Sequence, residues 1–233
     1  MVDSQRYAYL KALQIPVWVE RNAANTAPIK PEPEPEPQRQ RSPPPPPLPA
    51  TTWEQLEQQV SGCQRCQELS QQRTQTVFGT GNRSSKLLII GEAPGVDEDR
   101  QGEPFVGKAG QLLNAMLYAI GFERSEIYIA NTLKCRPPGN RNPTPEELHH
   151  CYPFLLRQIE LIAPKVILAV GRFAAHTLLQ TDATLGTLRG QLHRHQASQT
   201  PVIVTYHPAY LLRAPLEKRK SWDDLQLLMR HYW

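Results

Sequence analysis

No stretch of this 233-residue chain approaches the roughly 18 consecutive apolar residues that a membrane span requires. Nor is either charge in decisive excess: 26 Lys and Arg against 22 Asp and Glu leave a formal net charge of +4. That balance permits a polyanionic partner without arguing for one. The opening residues, MVDSQRYAYL, lack the basic stretch and apolar core of a secretory signal, so the expected location is the cytoplasm. Cysteine is scarce too, with 4 in the chain. So few thiols in a cytosolic chain of this size argue against a disulfide framework and for metal binding or thiol chemistry. Hydrophobic residues make up 39%, enough for one buried core of ordinary size.

Proline is in surplus, and 11 of its 23 occurrences fall between Pro28 and Pro49. KPEPEPEPQ followed by PPPPPLP has almost nothing apolar to bury, which predicts an extended, solvated linker over residues 28–50. The linker separates a short N-terminal segment, residues 1–27, from a folded domain expected over residues 51–233. Leu10, Leu13, Ile15, Val17 and Trp18 are too few to make a core, so the first segment reads as a peptide that docks onto something.

Beyond Thr51, apolar runs alternate with helical periodicities. KLLIIG (86–91), IYIAN (127–131), KVILAV (165–170) and PVIVTY (201–206) are short and rich in branched residues, and predict four buried strands. Leu112, Leu113, Met116, Leu117 and Ile120 line one face of a helix, with Gly121 as its stop. Thr144, Pro145 and Glu147 have the form of a helix start, and Pro153 is expected to kink or divide that helix on its way to Ile162. Ser221 with Asp224 reads as the cap of the last helix. Strands separated by helices imply an α/β domain, a central and mostly parallel four-stranded sheet with helices on both faces. In such a sheet, ligands bind beyond the carboxyl ends of the strands.

Three of the four strands end in unusual residues. The first runs into Gly91, Glu92, Ala93, Pro94 and Gly95, followed by the acidic run Asp97, Glu98, Asp99; the second ends at Asn131; the fourth leads into His207 and Pro208. A carboxylate, an amide and an imidazole over one sheet edge could hold a planar polar heterocycle, with Phe105 of the GEPFVG loop stacked on its face. The run from Gly102 to Lys108 has P-loop spacing, but Ala109 stands where a hydroxyl is required, Glu103 adds negative charge and Pro104 removes a donor. Nucleotide hydrolysis is set aside on those grounds.

The cysteines form a second constellation. Cys63 and Cys66 make a C-x-x-C, while Cys135 and Cys151 lie far downstream. Four thiolates from two regions suit tetrahedral zinc or a 4Fe-4S cluster, and spacing does not choose between them. A redox C-x-x-C would follow a strand, whereas Cys63 follows the amphipathic segment WEQLEQQVSG.

Taken together, GEAPGVDEDRQGEPFVGKAGQLL, NTLKCRPPGNRNPTPEE with Cys151 after it, the Cys63/Cys66 pair and HPAYLLR at 207–213 resemble the iron–sulfur (family 4) uracil-DNA glycosylases over about residues 53–233. The resemblance implies a three-layer αβα sandwich, a 4Fe-4S cluster on Cys63, Cys66, Cys135 and Cys151, and hydrolysis of the N-glycosidic bond of deoxyuridine in DNA. It lacks the inserted basic loop of the uracil cross-linking relatives, and its acidic run differs from the apolar version of family 5. Ala93 stands where the best-studied uracil glycosylases carry an Asp, which leaves open whether Glu92 acts as a base or electrostatically.

Under this resemblance the enzyme flips the nucleotide out of the stack and reads the base in a pocket. Phe105 stacks on the uracil. The Asn131 amide donates to O4 and accepts from N3–H, which cytosine cannot satisfy. Glu98 crowds the methyl group of thymine, and His207 bonds O2 as negative charge develops there. Ala93, Pro94 and Asn140 complete the substrate-binding set. Tyr210, Leu211, Leu212 and Arg213 supply a DNA-contacting wedge ending in a cation. The expected enzyme is a monomer, associated with the nucleoid. Its N-terminal segment, through Arg6, Leu10, Leu13, Ile15, Trp18 and Arg21, resembles the peptide by which the psi subunit of the bacterial clamp loader binds its chi subunit. Two other classes compete: a catalytically inactive DNA-damage binding module, and a zinc-stabilised interaction protein.

Overall fold

A computed structural model describes residues 51–233; the expected docking peptide and proline-rich linker lie outside the described residues. The four expected strands are present as β2 (Leu87–Gly91), β3 (Tyr128–Asn131), β4 (Val166–Val170) and β6 (Pro201–Thr205), mutually parallel in the order β3-β2-β4-β6. Two further strands extend the sheet to six. Thr80–Gly81 (β1) pairs antiparallel with β3, and Leu192–Arg194 (β5) pairs antiparallel with β6. At 2 and 3 residues they are too short to carry a periodic signal, which is why four strands were expected.

The central strands are apolar throughout because both faces of the sheet are covered. Leu88, Ile90, Tyr128, Ala130, Ile167, Ala169, Val202 and Val204 face one core, shared with α1 (Trp53–Ser61), α2 (Gln67–Gln72), α5 (Pro145–Ile162) and α6 (Arg172–Leu179). The alternate residues Leu87, Ile89, Ile129, Val166, Leu168 and Ile203 face a second core, built by α4 (Lys108–Tyr118) and the C-terminal α9 (Lys218–Tyr232). The period of two along each strand thus separates the helices into two layers, giving the αβα sandwich. Helices α3 (Val96–Gln101), α7 (Leu185–Leu188) and α8 (Pro208–Arg213) are short connectors.

Two helix expectations change. Pro153 does not divide α5. A proline inside a helix costs about 3 kcal/mol, but Cys151 to Leu155 are all buried, so the packing of this segment offsets the lost backbone hydrogen bond. Ser221 and Asp224 do not cap the last helix, which begins at Lys218 behind the 3₁₀ turn Pro215–Glu217. Both are buried, and the Asp224 carboxylate accepts instead from Arg189 Nε at 2.8 Å and from the Gly190 amide at 3.2 Å. Gly121, at φ +82, does follow the end of α4.

Candidate active site and cysteine cavity

Register places the strand ends level. Gly91 pairs with Asn131, and Val170 with Thr205, so Glu92, Asn131, Gly171 and His207 emerge along one sheet edge. Gly91 sits between the reader and the stacking ring expected from sequence: a Cβ there would lie 2.5 Å from Asn131 Oδ1 and 2.6 Å from the Phe105 ring. The Phe105 and His207 rings are 5.6 Å apart, inclined at 31°. The edge therefore brings Phe105, Asn131 and His207 around one small space. Asn131 is only 2% exposed, yet its Oδ1 is buried without a hydrogen-bond partner among the described residues. A buried amide oxygen left unpaired costs about 1–3 kcal/mol, so the pocket is built to receive a donor.

His207 caps α8, and its Nδ1 accepts from the Ala209 amide at 3.2 Å. With Nδ1 an acceptor, Nε2 carries the proton and is the donor. Burial, with help from the Arg213 charge and against Glu98, pulls His207 down to about 4, so the ring is neutral across the physiological range. Gly171, at φ +93, lies behind the ring: a Cβ there would be 3.0 Å from His207 Cβ. Glu92 is half-buried, and burial raises its carboxyl above the usual range, with the Arg172 charge opposing. Arg172 was not found from sequence; it follows β4 with no motif to mark it. Pro94 is buried and Ala93 packs against the first core, so both shape the turn that carries Glu92.

Glu98 is committed to the backbone. Its carboxylate accepts from the amides of Gly95 (3.1 Å), Val106 (3.0 Å) and Gly107 (3.1 Å), tying the start of α3 to the loop that carries Phe105. Phe105 is at φ +55, a left-handed conformation that costs a bulky residue about 1–3 kcal/mol.

The wedge segment divides. Tyr210 and Leu212 are 37% and 45% exposed and Arg213 is exposed, but Leu211 is fully buried. Leu211 faces inward because one turn of α8 carries its neighbours to the opposite side, so it anchors the segment rather than contacting DNA. Asn140 is exposed on the 3₁₀ turn Pro138–Asn140 beside α2, and its Oδ1 accepts from Arg136 Nε at 2.8 Å. No hydrogen bond or ring contact among the described residues joins it to Phe105, Asn131 or His207.

On the opposite side of β3, Cys63, Cys66, Cys135 and Cys151 line one cavity with Leu69, Leu133 and Phe154. Two of the sulfurs accept N–H donors. Arg73 Nη1 donates to Cys135 Sγ at 2.8 Å and the Lys134 amide to Cys151 Sγ at 3.3 Å, while His150 Nδ1 lies 3.7 Å from Cys66 Sγ. Four thiols around one apolar space, with N–H groups aimed at sulfur, fit a cluster of thiolate ligands. Among the described residues, no three His, Cys, Asp or Glu side chains converge on a point as one metal ion would require. Burial pushes the unligated Cys151 thiol up to about 12 and Cys66 to about 11, which makes neither a nucleophile.

Lys134 joins the two sites and was missed from sequence. It is fully buried; its Nζ donates to the Asn131 carbonyl at 3.0 Å and to Gln158 Oε1, whose own amide donates to the Phe78 carbonyl at 3.0 Å.

The fold is an α/β sandwich whose strand ends gather Phe105, Asn131 and His207, with four cysteines lining a separate cavity, and the sequence comparisons place it in a family. The family model of the uracil DNA glycosylase superfamily matches residues 78–226. The chain belongs to the type-4 uracil-DNA glycosylases. It is 42% identical over 179 residues to the type-4 uracil-DNA glycosylase of Archaeoglobus fulgidus, covering 74% of this chain and 89% of that protein. The corresponding protein of Pyrobaculum aerophilum is 37% identical over 180 residues (75% and 91% covered), and that of Thermotoga maritima 43% over 161 (69% and 83%). No helix among the described residues is long and apolar enough to cross a membrane.

Proposed function

We propose that this chain excises uracil from DNA with the division of labour expected from its sequence: Phe105 stacks on the flipped base, Asn131 reads it, and His207 stabilises the uracil anion as the glycosidic bond breaks. The observation that carries this reading is the unpaired, buried Asn131 Oδ1 beside the Phe105 and His207 rings. Uracil N3–H is the donor that oxygen lacks, and the amide nitrogen meets O4. Cytosine offers a bare N3 and an amino group, the reverse pattern. Glu98, immobilised by three amides next to the pocket, is a fixed wall against a C5 methyl group. Glu92 stabilises the cationic sugar or positions water; its raised pKa and half-burial suit a carboxylate in an enclosed site. Tyr210 and Leu212 enter the space the base vacates, and Arg213 meets phosphate.

The test is Asn131→Asp. The carboxylate presents an acceptor to uracil O4 and to the cytosine amino group alike, so overall activity drops and the preference for uracil weakens or inverts. Single-turnover release of uracil and of cytosine from matched oligonucleotides measures this. Full retention of uracil preference by Asn131→Asp would remove Asn131 as the reader, and failure of the wild type to release uracil would favour the inactive binding module.

The four cysteines are proposed to hold a 4Fe-4S cluster, supported by their common cavity and by N–H groups directed at two of the sulfurs. The cluster's contribution is to hold residues 63–66, 135 and 151 together; chemistry at the base is left to the residues named above. For the N-terminal segment, we propose a tether to a protein resembling the clamp-loader chi subunit, which raises the local concentration of the glycosylase at replicating DNA. Deleting residues 1–50 is then expected to leave excision from free oligonucleotides nearly intact while abolishing pull-down of chi; an unchanged pull-down refutes the tether.

A further inference from the structure

We propose that Arg124 is a positioning residue for base stacking, acting through the backbone of Phe105. The inference rests on Phe105 being the stacking platform. Phe105 holds a left-handed conformation in a loop without regular secondary structure, so something must enforce it. Glu98 restrains the amide side through Val106 and Gly107. The carbonyl side is restrained by Arg124, from the 3₁₀ turn Arg124–Glu126 that leads into β3: Nη2 donates to the Pro104 carbonyl at 2.5 Å and Nη1 lies 3.4 Å from the Phe105 carbonyl.

Three further observations assign Arg124 to this loop. Its guanidinium forms no ion pair within the described residues, and its remaining bond goes to Asn114 Oδ1 on α4 at 3.2 Å, which aims the fork at the two carbonyls. Gly110 supplies the floor: a Cβ there would lie 1.8 Å from the Phe105 carbonyl oxygen, so the loop can settle onto α4 only at a glycine. Finally, two successive carbonyls on one side of a loop match the planar fork of a guanidinium, whereas an ammonium is a point donor. The strained residue is thus held between a carboxylate on one side and a guanidinium on the other. Releasing the carbonyl side lets Phe105 relax toward ordinary φ and carries its ring out of register with the base.

The experiment is a double-mutant cycle on single-turnover uracil release, using Arg124→Met, Arg124→Lys, Phe105→Ala and the Arg124→Met/Phe105→Ala pair, with melting temperatures recorded for all four. Arg124→Met is expected to slow release by about 10- to 100-fold, the range for a reacting partner misplaced by about an ångström. Arg124→Lys restores part of the loss. In the Phe105→Ala background, Arg124→Met has no additional effect, because the group through which it acts is gone. A wild-type rate for Arg124→Met, or losses that multiply in the pair, overturns the inference while leaving the stacking role of Phe105 intact. A wild-type rate for Phe105→Ala alone overturns the stacking reading itself, and the role of Arg124 with it.

Discussion

Replacing His207 by alanine is expected to slow single-turnover uracil release by about 10²- to 10³-fold, the cost of losing one preorganised donor to a developing oxyanion. Binding of uracil-containing DNA changes little, because the donor is needed most when the anion forms. The size of the effect follows from how firmly the donor is set. The Ala209 amide fixes the tautomer, Gly171 gives the ring room against the end of β4, and the neutral state holds down to about pH 4. No proton has to be taken up before the bond breaks. The contribution of His207 to the rate is therefore flat from pH 8 to pH 5. Stability behaves differently. The folded-state value of about 4 lies below the ordinary 6.5, so neutral His207 contributes stability that is complete above about pH 6.5 and is lost as pH falls toward 4. A pH–rate profile of the His207→Ala protein that parallels the wild type, displaced downward, is the expected result; an undiminished rate removes His207 from the mechanism.

Replacing Cys135 by alanine is expected to abolish folded protein rather than tune it. Cys135 comes from the span after β3 and Cys151 from α5, whereas Cys63 and Cys66 lie between α1 and α2, so a group held by all four ties the N-terminal helices to the sheet. Ligation free energy counts as folding free energy wherever the site is absent from the unfolded chain. The substitution also strands Arg73, whose Nη1 loses its acceptor inside the fold. Wild-type protein is expected to be brown with absorbance near 400 nm, and Cys135→Ala colourless and poorly soluble. A well-folded, active Cys135→Ala protein would show the cluster to be dispensable. A colourless, zinc-loaded wild type would establish the mononuclear alternative.

Most of the candidate site was legible because its residues sit at strand ends, where a short apolar run gives way to polar residues. Glu92 follows LLIIG, Asn131 follows IYIA and His207 is separated by two residues from the run PVIV, so the parallel sheet delivers all three to one edge. Long-range supports gave no such signal. Arg124 lies about twenty residues from the carbonyls it holds, and Lys134 looks like an ordinary surface lysine in NTLKC until α5 is laid over it. Leu211 was misplaced for a related reason: in a six-residue helix, which side faces the core is set by the neighbouring helix and not by sequence spacing. The edge strands β1 and β5 were too short to register, and Pro153 did not divide its helix because local propensity yielded to burial.

The buried lysine has a consequence for how the molecule breathes. The span Asn131 to Cys135 is formally a loop, and loops usually exchange their amide protons early. Here the Thr132 and Leu133 amides are bonded to the Gly91 and Glu92 carbonyls, and the Lys134 ammonium has partners only inside, on β3 and α5. Opening this span alone would pull the Lys134 ammonium away and leave the fully buried Gln158 Oε1 unpaired, so the span opens together with α5 and the sheet. In deuterium exchange these amides are accordingly expected to be protected for as long as those of β2 and β4, far longer than those of the Pro138–Asn140 turn a few residues on.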